Sequence, residues 1–494
     1  FPSLLFGQRE AKYWIFGGGT PAHIEFSYSG PLTGWASGFT SNPIVPPPSS
    51  VNMGFEGATV VNDPDTGELL FYTSGNDVYN ANHNLIISGL GGNPSSTQAV
   101  QVSVLPVCPF DRYYIFSNPA GQFNSGILTY AIYNQATQSF DLTGASLPGP
   151  FANANIGEGM LVIPSKSDPL TYWLVTQIGG TNTYPVYKID PAGIQFHNQF
   201  NFGVNTPVSL LSMAYSPVRE EIAFAFHPFP TNGSGLFVRG FNSTTGNFDS
   251  NAPSVNPTSN ATFLYDVEYS PDGSKLYYSS YKNPCRLFQF DFNTGTHVQI
   301  VSGPGGNSRC GGLKLGPDGF VYFISQTNNT VATPFLNVSR IRTSNLSAAD
   351  NAFIYEPFAT YTDAYAFNLP EFAATPTSFA SPSADTVICP GDSAILQVTG
   401  GASYVWSPST GLSCTQCSVT VASPVVDTRY YVAITDSFGC TTADSVMITL
   451  DPNACINSPT IPTVSQWGLI LFALLILCIG GIVIWRRRME MASV

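Results

Sequence analysis

The chain has 494 residues, of which only 10% are charged, and its 31 acidic and 18 basic residues give a formal net charge of −13. A typical soluble protein has about 25% charged residues. With so few basic side chains, three of them in Arg486, Arg487 and Arg488, the chain has no basic patch to neutralise phosphates, which argues against nucleic-acid binding. Its 45 Gly, 39 Pro, 35 Phe and 24 Tyr favour short strands and turns over helices.

The start of the chain bears on its cellular location. The sequence opens at Phe1 without a methionine, and we expect that a signal peptide has been removed. An exported protein of this kind can form disulfides.

Short runs of aromatic and β-branched residues recur through the first three quarters of the chain, at a period of about 50 residues. There are seven of them: 13–16, 69–72, 113–116, 172–175, 222–225, 276–279 and 321–324. Several follow a Pro/Asp/Gly turn that is itself preceded by an apolar strand, as at Ser270–Gly273 and Gly316–Gly319. Strand, turn and aromatic strand form a hairpin.

Repeated hairpins at this period are typical of β-propeller blades. The prediction for residues 1–372 is therefore an all-β fold, a seven-bladed β-propeller, with Tyr365–Leu369 as the candidate closing strand. A large irregular β-sandwich array is the alternative.

A small-residue, proline-bearing stretch at 373–386 predicts a linker to a second domain at 387–451. This domain has alternating strands and the order Cys389, Trp406, Cys440, which predicts a small Ig-like (PKD-like) β-sandwich. Residues 452–466 read as a spacer that ends in a sorting motif.

The cysteines outside the C-terminal apolar segment suggest three disulfides. We expect Cys389 to pair with Cys440, Cys414 with Cys417, and Cys285 with Cys310 between neighbouring strands or blades. Cys108 and Cys455 have no evident partners. No spacing fits a tetrahedral zinc site.

The C-terminus contains an uncharged apolar segment from Trp467 to Trp485, long enough to span a bilayer as one helix. Tryptophans at both ends and the basic residues that follow predict a single-pass transmembrane helix at 467–485 with a cytoplasmic tail at 486–494. Everything before the helix then lies on the cell surface, outside the cell envelope. An ordinary stop-transfer anchor accounts for these features.

A more specific interpretation comes from the motif just before and after this helix. The motif consists of Ile461, Pro462, Thr463, Ser465, Trp467 and Gly468, followed after the helix by Arg486, Arg487 and Arg488. It resembles the bacterial C-terminal sorting signal called IPTL-CTERM, with Val464 in place of the usual Leu and Gln466 in place of the usual Glu. The resemblance implies recognition by an exosortase-type membrane protease and cleavage near Pro462 and Thr463.

Two further stretches resemble large surface proteins of gliding bacteria, which carry a propeller-like head followed by PKD or Ig-like repeats. The first begins at Gly54–Val60 and extends to Gly92–Gln98; the second includes Ile388–Ser393, Tyr404–Leu412 and Thr435–Cys440. The resemblance implies export to the surface, usually by the type IX route. This chain has the hydrophobic tail where those proteins have a β-rich sorting domain.

Candidate ligand-binding residues come from the expected starts of the inner strands, which surround one end of a propeller channel. They are Glu56, Gln98, Glu158, Ser212, Asp266 and Gly312, with His83 in a nearby loop motif. Three carboxylates facing one funnel are suited to Ca²⁺ or a polyhydroxylated sugar. The alternative is that each side chain caps its own strand or turn, and that His83 is a hydrogen-bonded loop residue.

No catalytic motif of the common hydrolase or phosphate-binding families is present. The sequence therefore favours an exported, membrane-tethered binding or adhesion protein with an extracellular glycan or protein ligand. It is not predicted to be an enzyme, and no cofactor is expected other than the Ca²⁺ considered above. A carbohydrate-active hydrolase that uses the rim carboxylates and a structural subunit of a surface layer or fibre are the alternatives.

Overall fold

The computed structural model describes residues 11–452 except 20, 29–34, 40–46, 52, 55, 65–66, 94, 121–125, 202–209, 228–234, 250–262, 282–283, 303–307, 328–334, 351–353, 363, 375–380, 384, 400 and 436–440. Within these residues the protein is all-β and has no α-helix. The described residues include no helix that could cross a membrane. The predicted membrane segment 467–485, the sorting motif at 461–468 and the tail 486–494 lie outside it.

The chain forms two compact units, Phe1–Phe379 and Ala380–Val494. The first begins with a three-stranded N-terminal sheet and continues with sheets 1 to 6, each formed by strands that follow one another in the chain. The N-terminal sheet contains β1 (Tyr13–Phe16), β3 (Ala22–Tyr28) and β4 (Trp35–Phe39), and β2 (Gly18–Gly19) follows β1 in the chain.

Sheets 1 to 3 are the first three of the six repeated sheets. Sheet 1 contains β5 (Thr59–Asn62), β6 (Leu69–Thr73), β7 (Asp77–Asn80) and β8 (Leu85–Ser88). Sheet 2 contains β9 (Val100–Val104), β10 (Arg112–Ser117), β12 (Thr129–Asn134) and β13 (Ser139–Ser146). Sheet 3 contains β14 (Asn155–Pro164), β15 (Tyr172–Ile178), β16 (Thr183–Asp190) and β17 (Gly193–Asn201), and the short β11 (Gly126–Ile127) pairs with β14.

Sheets 4 to 6 repeat the pattern. Sheet 4 contains β18 (Leu210–Ser216), β19 (Glu221–His227), β20 (Gly235–Asn242) and β21 (Asn247–Phe248). Sheet 5 contains β22 (Leu264–Tyr269), β23 (Lys275–Ser280), β24 (Arg286–Asp291) and β25 (Thr296–Ser302). Sheet 6 contains β26 (Ser308–Leu315), β27 (Val321–Thr327), β28 (Phe335–Ile341) and β29 (Tyr355–Thr362).

The seven aromatic runs seen in the sequence occupy β1 and the second strand of each numbered sheet. Residues of β23, for example, are buried all along the strand, without the alternation of a half-exposed strand. Continuous burial requires a neighbouring sheet on both faces, and this explains why the runs are uninterrupted apolar segments. The Ser270–Gly273 turn joins β22 to β23, as the hairpin pattern predicts.

Hydrophobic clusters between successive sheets provide the packing partners. One cluster joins sheets 1, 2 and 3, and three others join sheets 3 and 4, 4 and 5, and 5 and 6. The N-terminal sheet packs on sheet 6 through Trp14 and Tyr322, whose ring centroids are 5.1 Å apart, and on sheet 1 through Ile15 and Val60. Each sheet therefore lies between two others in a closed order, which is the arrangement of a β-propeller.

Residues 364–374, here called the axial segment, run along the first strands of several sheets. It contains β30 (Ala364–Tyr365), paired with β2, and β31 (Glu371–Phe372), which pairs in parallel with β5. The Phe367 carbonyl oxygen accepts a hydrogen bond of 2.6 Å from the Gly312 N–H, and Ala374 exchanges two bonds of 2.9 Å with β9. Sheet 6, sheet 1 and sheet 2 are thus connected through one stretch of backbone.

Glycine at position 312 is required by this close approach. A Cβ atom there would lie 1.8 Å from the Asn368 side-chain oxygen, and one at Gly311 would lie 2.4 Å from the Phe367 carbonyl oxygen. Any larger residue would force the axial segment away from β26.

The second unit consists of two sheets with a shared core. One contains β32 (Ser381–Pro382), β34 (Ala394–Thr399) and β36 (Val419–Ala422); the other contains β33 (Thr386–Ile388), β35 (Ser403–Ser407), β37 (Thr428–Thr435) and β38 (Thr441–Leu450). Trp406, Tyr430 and Val446 are buried between them. The sequence-predicted linker 373–386 includes β32 and the start of β33, so these residues belong partly to a sheet.

The structure contains the disulfides Cys285–Cys310 and Cys414–Cys417. The first connects the start of β24 in sheet 5 with β26 in sheet 6, so it joins neighbouring sheets. Cys389 is also disulfide-bonded, and its predicted partner Cys440 lies outside the described residues, as does Cys455. Cys108, for which the sequence showed no evident partner, is also disulfide-bonded.

Candidate functional site

The first strands of sheets 1 to 6 surround the channel of the propeller, and each contacts the next. Hydrogen bonds join residues near the starts of these strands to one another, so the strands begin at one end of the channel and finish at the other. Most of the candidate side chains lie near the starting end, which we call the first end.

Gln98 crosses the first end of the channel and is almost fully buried. Its side-chain oxygen accepts hydrogen bonds from the backbone N–H groups of Met160 and Met213, at 3.1 and 3.2 Å, and its Nε2 donates to the Met213 carbonyl oxygen. One amide thus satisfies backbone groups of β14 and β18 from a position just before β9. Its hydrogen bonds are made within the protein, and it joins three sheets.

Glu158 is fully buried beside Gln98. Its Oε2 accepts hydrogen bonds of 3.0 Å from both the backbone N–H and the hydroxyl of Thr97, whereas Oε1 has no hydrogen-bond partner among the described residues. Burial and the nearby Glu56 carboxylate raise the pKa of Glu158 well above its ordinary value. Both effects favour the protonated form of this carboxyl.

Glu56 lies at the same end and keeps some exposure to solvent. Burial raises its pKa to about 8, and the Tyr265 hydroxyl acts in the opposite direction. Each of the two glutamates is followed by a glycine that lets the next strand approach: a Cβ at Gly57 would meet Ala99 at 2.1 Å, and one at Gly159 would meet Leu211 at 2.4 Å. The repeated Glu-Gly dipeptide therefore combines a side chain beside the channel with close strand packing.

Ser212 and Asp266 form a second link across the channel. The Ser212 hydroxyl donates to the Asp266 carboxylate, which also accepts the Val267 N–H at 2.9 Å and the Leu313 N–H at 2.6 Å. Burial raises the pKa of Asp266 to about 6 in spite of these donors. Sheets 4, 5 and 6 are joined through this carboxylate.

His83 is not in the channel. It lies in the turn between β7 and β8 with a positive φ of 63°, and its Nδ1 is 2.9 Å from the Tyr72 hydroxyl. Its backbone N–H donates to the Asn80 carbonyl oxygen at 2.9 Å. The structure therefore separates His83 from the other candidates.

The expected shared Ca²⁺ site of Glu56, Glu158 and Asp266 does not form. Among the described residues, no group of three or more His, Cys, Asp or Glu side chains is arranged to hold a metal ion. The physical reason is that Asp266 uses its carboxylate to accept hydrogen bonds from Ser212 and two backbone groups.

An open cavity lies at the other end of the channel, where the first strands finish. This axial pocket has a volume of about 270 Å³ and is lined by β14, β18, β22, β26, Gln101 of β9 and the axial segment. Its wall is apolar along β14 and at Phe372, and polar where Gln101, Asp266, Glu268, Lys314 and Glu371 line it. A cavity of this size is slightly below the range typical of sites for drug-sized ligands, about 300–1,000 Å³, and suits a smaller molecule.

Lys314 and Glu371 form an ion pair on the pocket wall, with Nζ and Oε2 2.5 Å apart and both side chains less than a fifth exposed. Burial alone would lower the pKa of Lys314, but Glu371 and Glu268 together raise it. Glu268 lines the same pocket and accepts the backbone N–H groups of Tyr269 and Leu315. Burial raises the pKa of Glu268 to about 7, with Lys314 acting in the opposite direction.

Gln101 completes the polar lining. Its side chain is 2% exposed, and its Nε2 donor has no hydrogen-bond partner among the described residues. A buried amide without a partner costs free energy, so this donor is suited to an acceptor that enters the pocket.

The sequence prediction did not include Gln101, Glu268, Lys314 or Glu371. Two of them could have been found from the sequence, because residues two apart share a face of a strand. Glu268 is two residues after Asp266, and Lys314 is two residues after Gly312. A charge inside the apolar run Leu313–Leu315 is also unusual in a chain with 10% charged residues. Glu371 could not be found in this way, because its strand is two residues long.

The fold and the channel define a propeller with a buried polar axis and one small pocket among the described residues at its far end. Comparison with known proteins finds no matching protein-family model and no matching curated protein.

Solved structures with a similar course include a putative 6-phosphogluconolactonase from Bacteroides uniformis, at 10% identity and a TM-score of 0.36, over 80% of this chain and 97% of that one. Another is the β-propeller domain of Cps50 (Swd1) from Myceliophteria thermophila, at 13% identity and a TM-score of 0.34, over 70% and 95% of the two chains. The propeller assignment rests on the strand order and packing described above.

Proposed function

We propose that this protein is an exported, membrane-tethered binding protein of the bacterial cell surface, and that its propeller head binds an extracellular ligand in the axial pocket. One observation carries the proposal: an open pocket of about 270 Å³ combines an apolar wall with the Lys314–Glu371 pair and the unpartnered Gln101 donor. A concave, mostly apolar site with a few convergent polar groups is the usual form of a small-ligand site.

The proposal includes a seven-bladed head. The N-terminal sheet is the seventh blade, and residues 364–369 supply its inner edge through the pairing of β30 with β2. Ala366 and Leu369 support this, since they pack in one cluster with Trp14 and Phe16.

The proposal also includes an Ig-like stalk and a membrane tether. The two-sheet core around Trp406 and the disulfide-bonded Cys389 support an Ig-like second domain. The apolar segment 467–485 is proposed as the tether, with residues 486–494 in the cytoplasm and an exosortase-type enzyme as a processing partner. The resemblance to surface proteins of gliding bacteria agrees with this location.

A carbohydrate-active hydrolase that uses Glu56 and Glu158 is the competing proposal. Raised pKa values at two neighbouring carboxyls favour acid–base chemistry. Against it, Glu158 is 0% exposed, so a glycosidic bond has no way to reach this carboxyl. Burial therefore favours binding over hydrolysis.

The test is a screen of the full-length chain, purified in detergent, against immobilised glycans and extracellular proteins with and without Ca²⁺. We expect a ligand whose affinity falls about tenfold in Glu371→Gln, because the substitution removes a charge from the pocket wall. Glu68→Gln is the matched control, since Glu68 forms a similar pair with Lys12 on an exposed surface.

Ligand binding that is equally strong in Glu371→Gln would place the site elsewhere. Release of sugar from a captured glycan, abolished by Glu158→Gln, would favour the hydrolase.

A further inference from the structure

The charge of the axial pocket indicates what kind of ligand it takes, an inference that rests on the function proposed above. Three carboxyl side chains line the pocket, those of Asp266, Glu268 and Glu371, against the single ammonium group of Lys314. No other Lys or Arg is found among the described residues that line it. The pocket therefore has more acidic than basic groups, in a chain that is itself acidic.

The charged side chains of the pocket differ in how free they are to contact a ligand. Asp266 is saturated by Ser212 and two backbone N–H groups. Lys314 is held by Glu371 at 2.5 Å, so it is a poor partner for a second anion. Glu371 is engaged in the same pair, so Glu268, which is 9% exposed, is the acceptor at the pocket surface that has no cation paired with it at this distance.

Gln101 adds a second requirement, that the ligand also offers a hydrogen-bond acceptor. Its unpartnered Nε2 is a donor, so the ligand must also offer a neutral oxygen acceptor near β9. The apolar wall at Leu161, Val162 and Phe372 leaves room for the carbon face of a ring.

We propose that the axial pocket binds a small polyhydroxylated ligand carrying one primary ammonium group, which is the chemistry of an amino sugar. The ammonium group lies against Glu268, and a ligand hydroxyl oxygen accepts from Gln101. An anionic sugar is disfavoured because Lys314 and Glu371 offset each other, which leaves the carboxyls of Glu268 and Asp266 as the uncompensated charges of the lining.

Proton linkage provides an independent signature. Glu268 has a pKa raised to about 7, so it is partly protonated at neutral pH. The other charged groups facing it are Lys314, Glu371 and Asp266, from β26, the axial segment and its own strand. An ammonium group placed against Glu268 lowers that pKa, and binding then releases protons to the buffer.

The experiment is calorimetry on the full-length chain in detergent, with glucosamine, N-acetylglucosamine and glucose as probes that share one ring and differ in charge. We expect glucosamine to bind at least about tenfold more tightly than either neutral sugar at pH 7. Measured in two buffers of different ionisation enthalpy, its binding should release protons. Glu371→Gln and Gln101→Met should each weaken it, and Glu68→Gln should not.

The outcomes separate this inference from the proposed function. Neutral sugars that bind as tightly as glucosamine, with the same sensitivity to Gln101→Met, would overturn the ammonium assignment and leave the pocket as a binding site. Failure of all three sugars, together with a ligand from the screen that is anionic or insensitive to Gln101→Met, would also overturn it. Thermal unfolding of each variant shows whether a loss of binding reflects a loss of fold.

Discussion

Single side chains at the first end of the channel accept hydrogen bonds from the backbone of neighbouring sheets. Gln98, Glu158 and Asp266 each accept hydrogen bonds from backbone groups outside their own sheet. The sequence predicted that these residues lie at the starts of inner strands. It could not show whether their side chains face solvent or are buried in hydrogen bonds to neighbouring sheets. That distinction depends on which backbone groups of the neighbouring sheets need acceptors, and these are known only once the strands are packed.

The raised pKa of the partly buried Glu56 carboxyl predicts that stability depends on pH. Its folded-state pKa is raised to about 8, so the folded protein holds this proton more tightly than the unfolded chain. The stabilisation is complete below the unfolded pKa of about 4.3 and is lost as the pH rises through the folded value. Between pH 6 and pH 9 the free energy of unfolding should fall by roughly 3 kcal/mol from this group.

Thermal unfolding at both pH values tests this dependence. Glu56→Gln cannot titrate, and its unfolding temperature should fall less than that of the unchanged protein over the same interval. Glu68→Gln should behave like the unchanged protein. Identical pH dependence in the unchanged protein and Glu56→Gln would contradict the assignment.

Position 312 tests the contact between β26 and the axial segment. In Gly312→Ala the added Cβ would lie 1.8 Å from the Asn368 side-chain oxygen, so the segment must move. We expect a loss of about 1–3 kcal/mol in the free energy of unfolding, measured by denaturant titration.

A double-mutant cycle separates this clash from a general effect. Asn368→Ala removes the hydrogen bond of 2.7 Å to the Thr97 carbonyl oxygen and so costs stability itself. Gly312→Ala should cost less in that background than in the unchanged protein. Full additivity of the two losses would show that the side chain of Asn368 is not what excludes a methyl group.

At the scale of strands and sheets, the sequence predicted the repeat well and the axial segment poorly. Runs such as Leu276–Ser279 are recognisable because both faces of the strand are buried, which leaves an uninterrupted apolar pattern. The axial segment contributes strands of only two residues, too short for any periodicity. Its position is set by glycines 311 and 312 in another sheet, far away in the sequence.

The Cys285–Cys310 disulfide joins sheets 5 and 6 and closes a loop with a sequence separation of 25. Loop-closure entropy predicts that Cys285→Ser with Cys310→Ser lowers the free energy of unfolding of the first unit by roughly 3 kcal/mol. The measurement is denaturant unfolding followed by the fluorescence of the buried tryptophans.

The Cys414–Cys417 disulfide is a control within the same chain, because its sequence separation is 3 and it lies in the second unit. Its removal should cost about half as much and leave the unfolding of the first unit unchanged. Equal losses in the first unit from both pairs of substitutions would contradict the account.

At the scale of the whole molecule, the axial segment is both part of the head and its connection to the rest of the chain. It contributes Glu371 to the pocket and leads directly into the second unit and the proposed tether. Ending the chain at residue 363 would remove Glu371 and Phe372 from the wall of the pocket.

The C-terminal motif predicts how the molecule is attached. If an exosortase-type enzyme processes it, surface-exposed protein in the producing bacterium should end near Pro462 or Thr463, because this polar motif precedes the apolar segment proposed as the tether. Replacing both residues by Ala should leave the chain uncut and membrane-bound. The control is the replacement of Ser409 and Thr410 in the second unit by Ala, which should not affect processing. The measurement is the mass of the released C-terminal fragment together with immunoblots for epitopes on each side of residue 463.

A surface population that retains residues 464–494 in full would show that the apolar segment 467–485 is a permanent anchor. The basic residues after it would then serve only to fix its orientation.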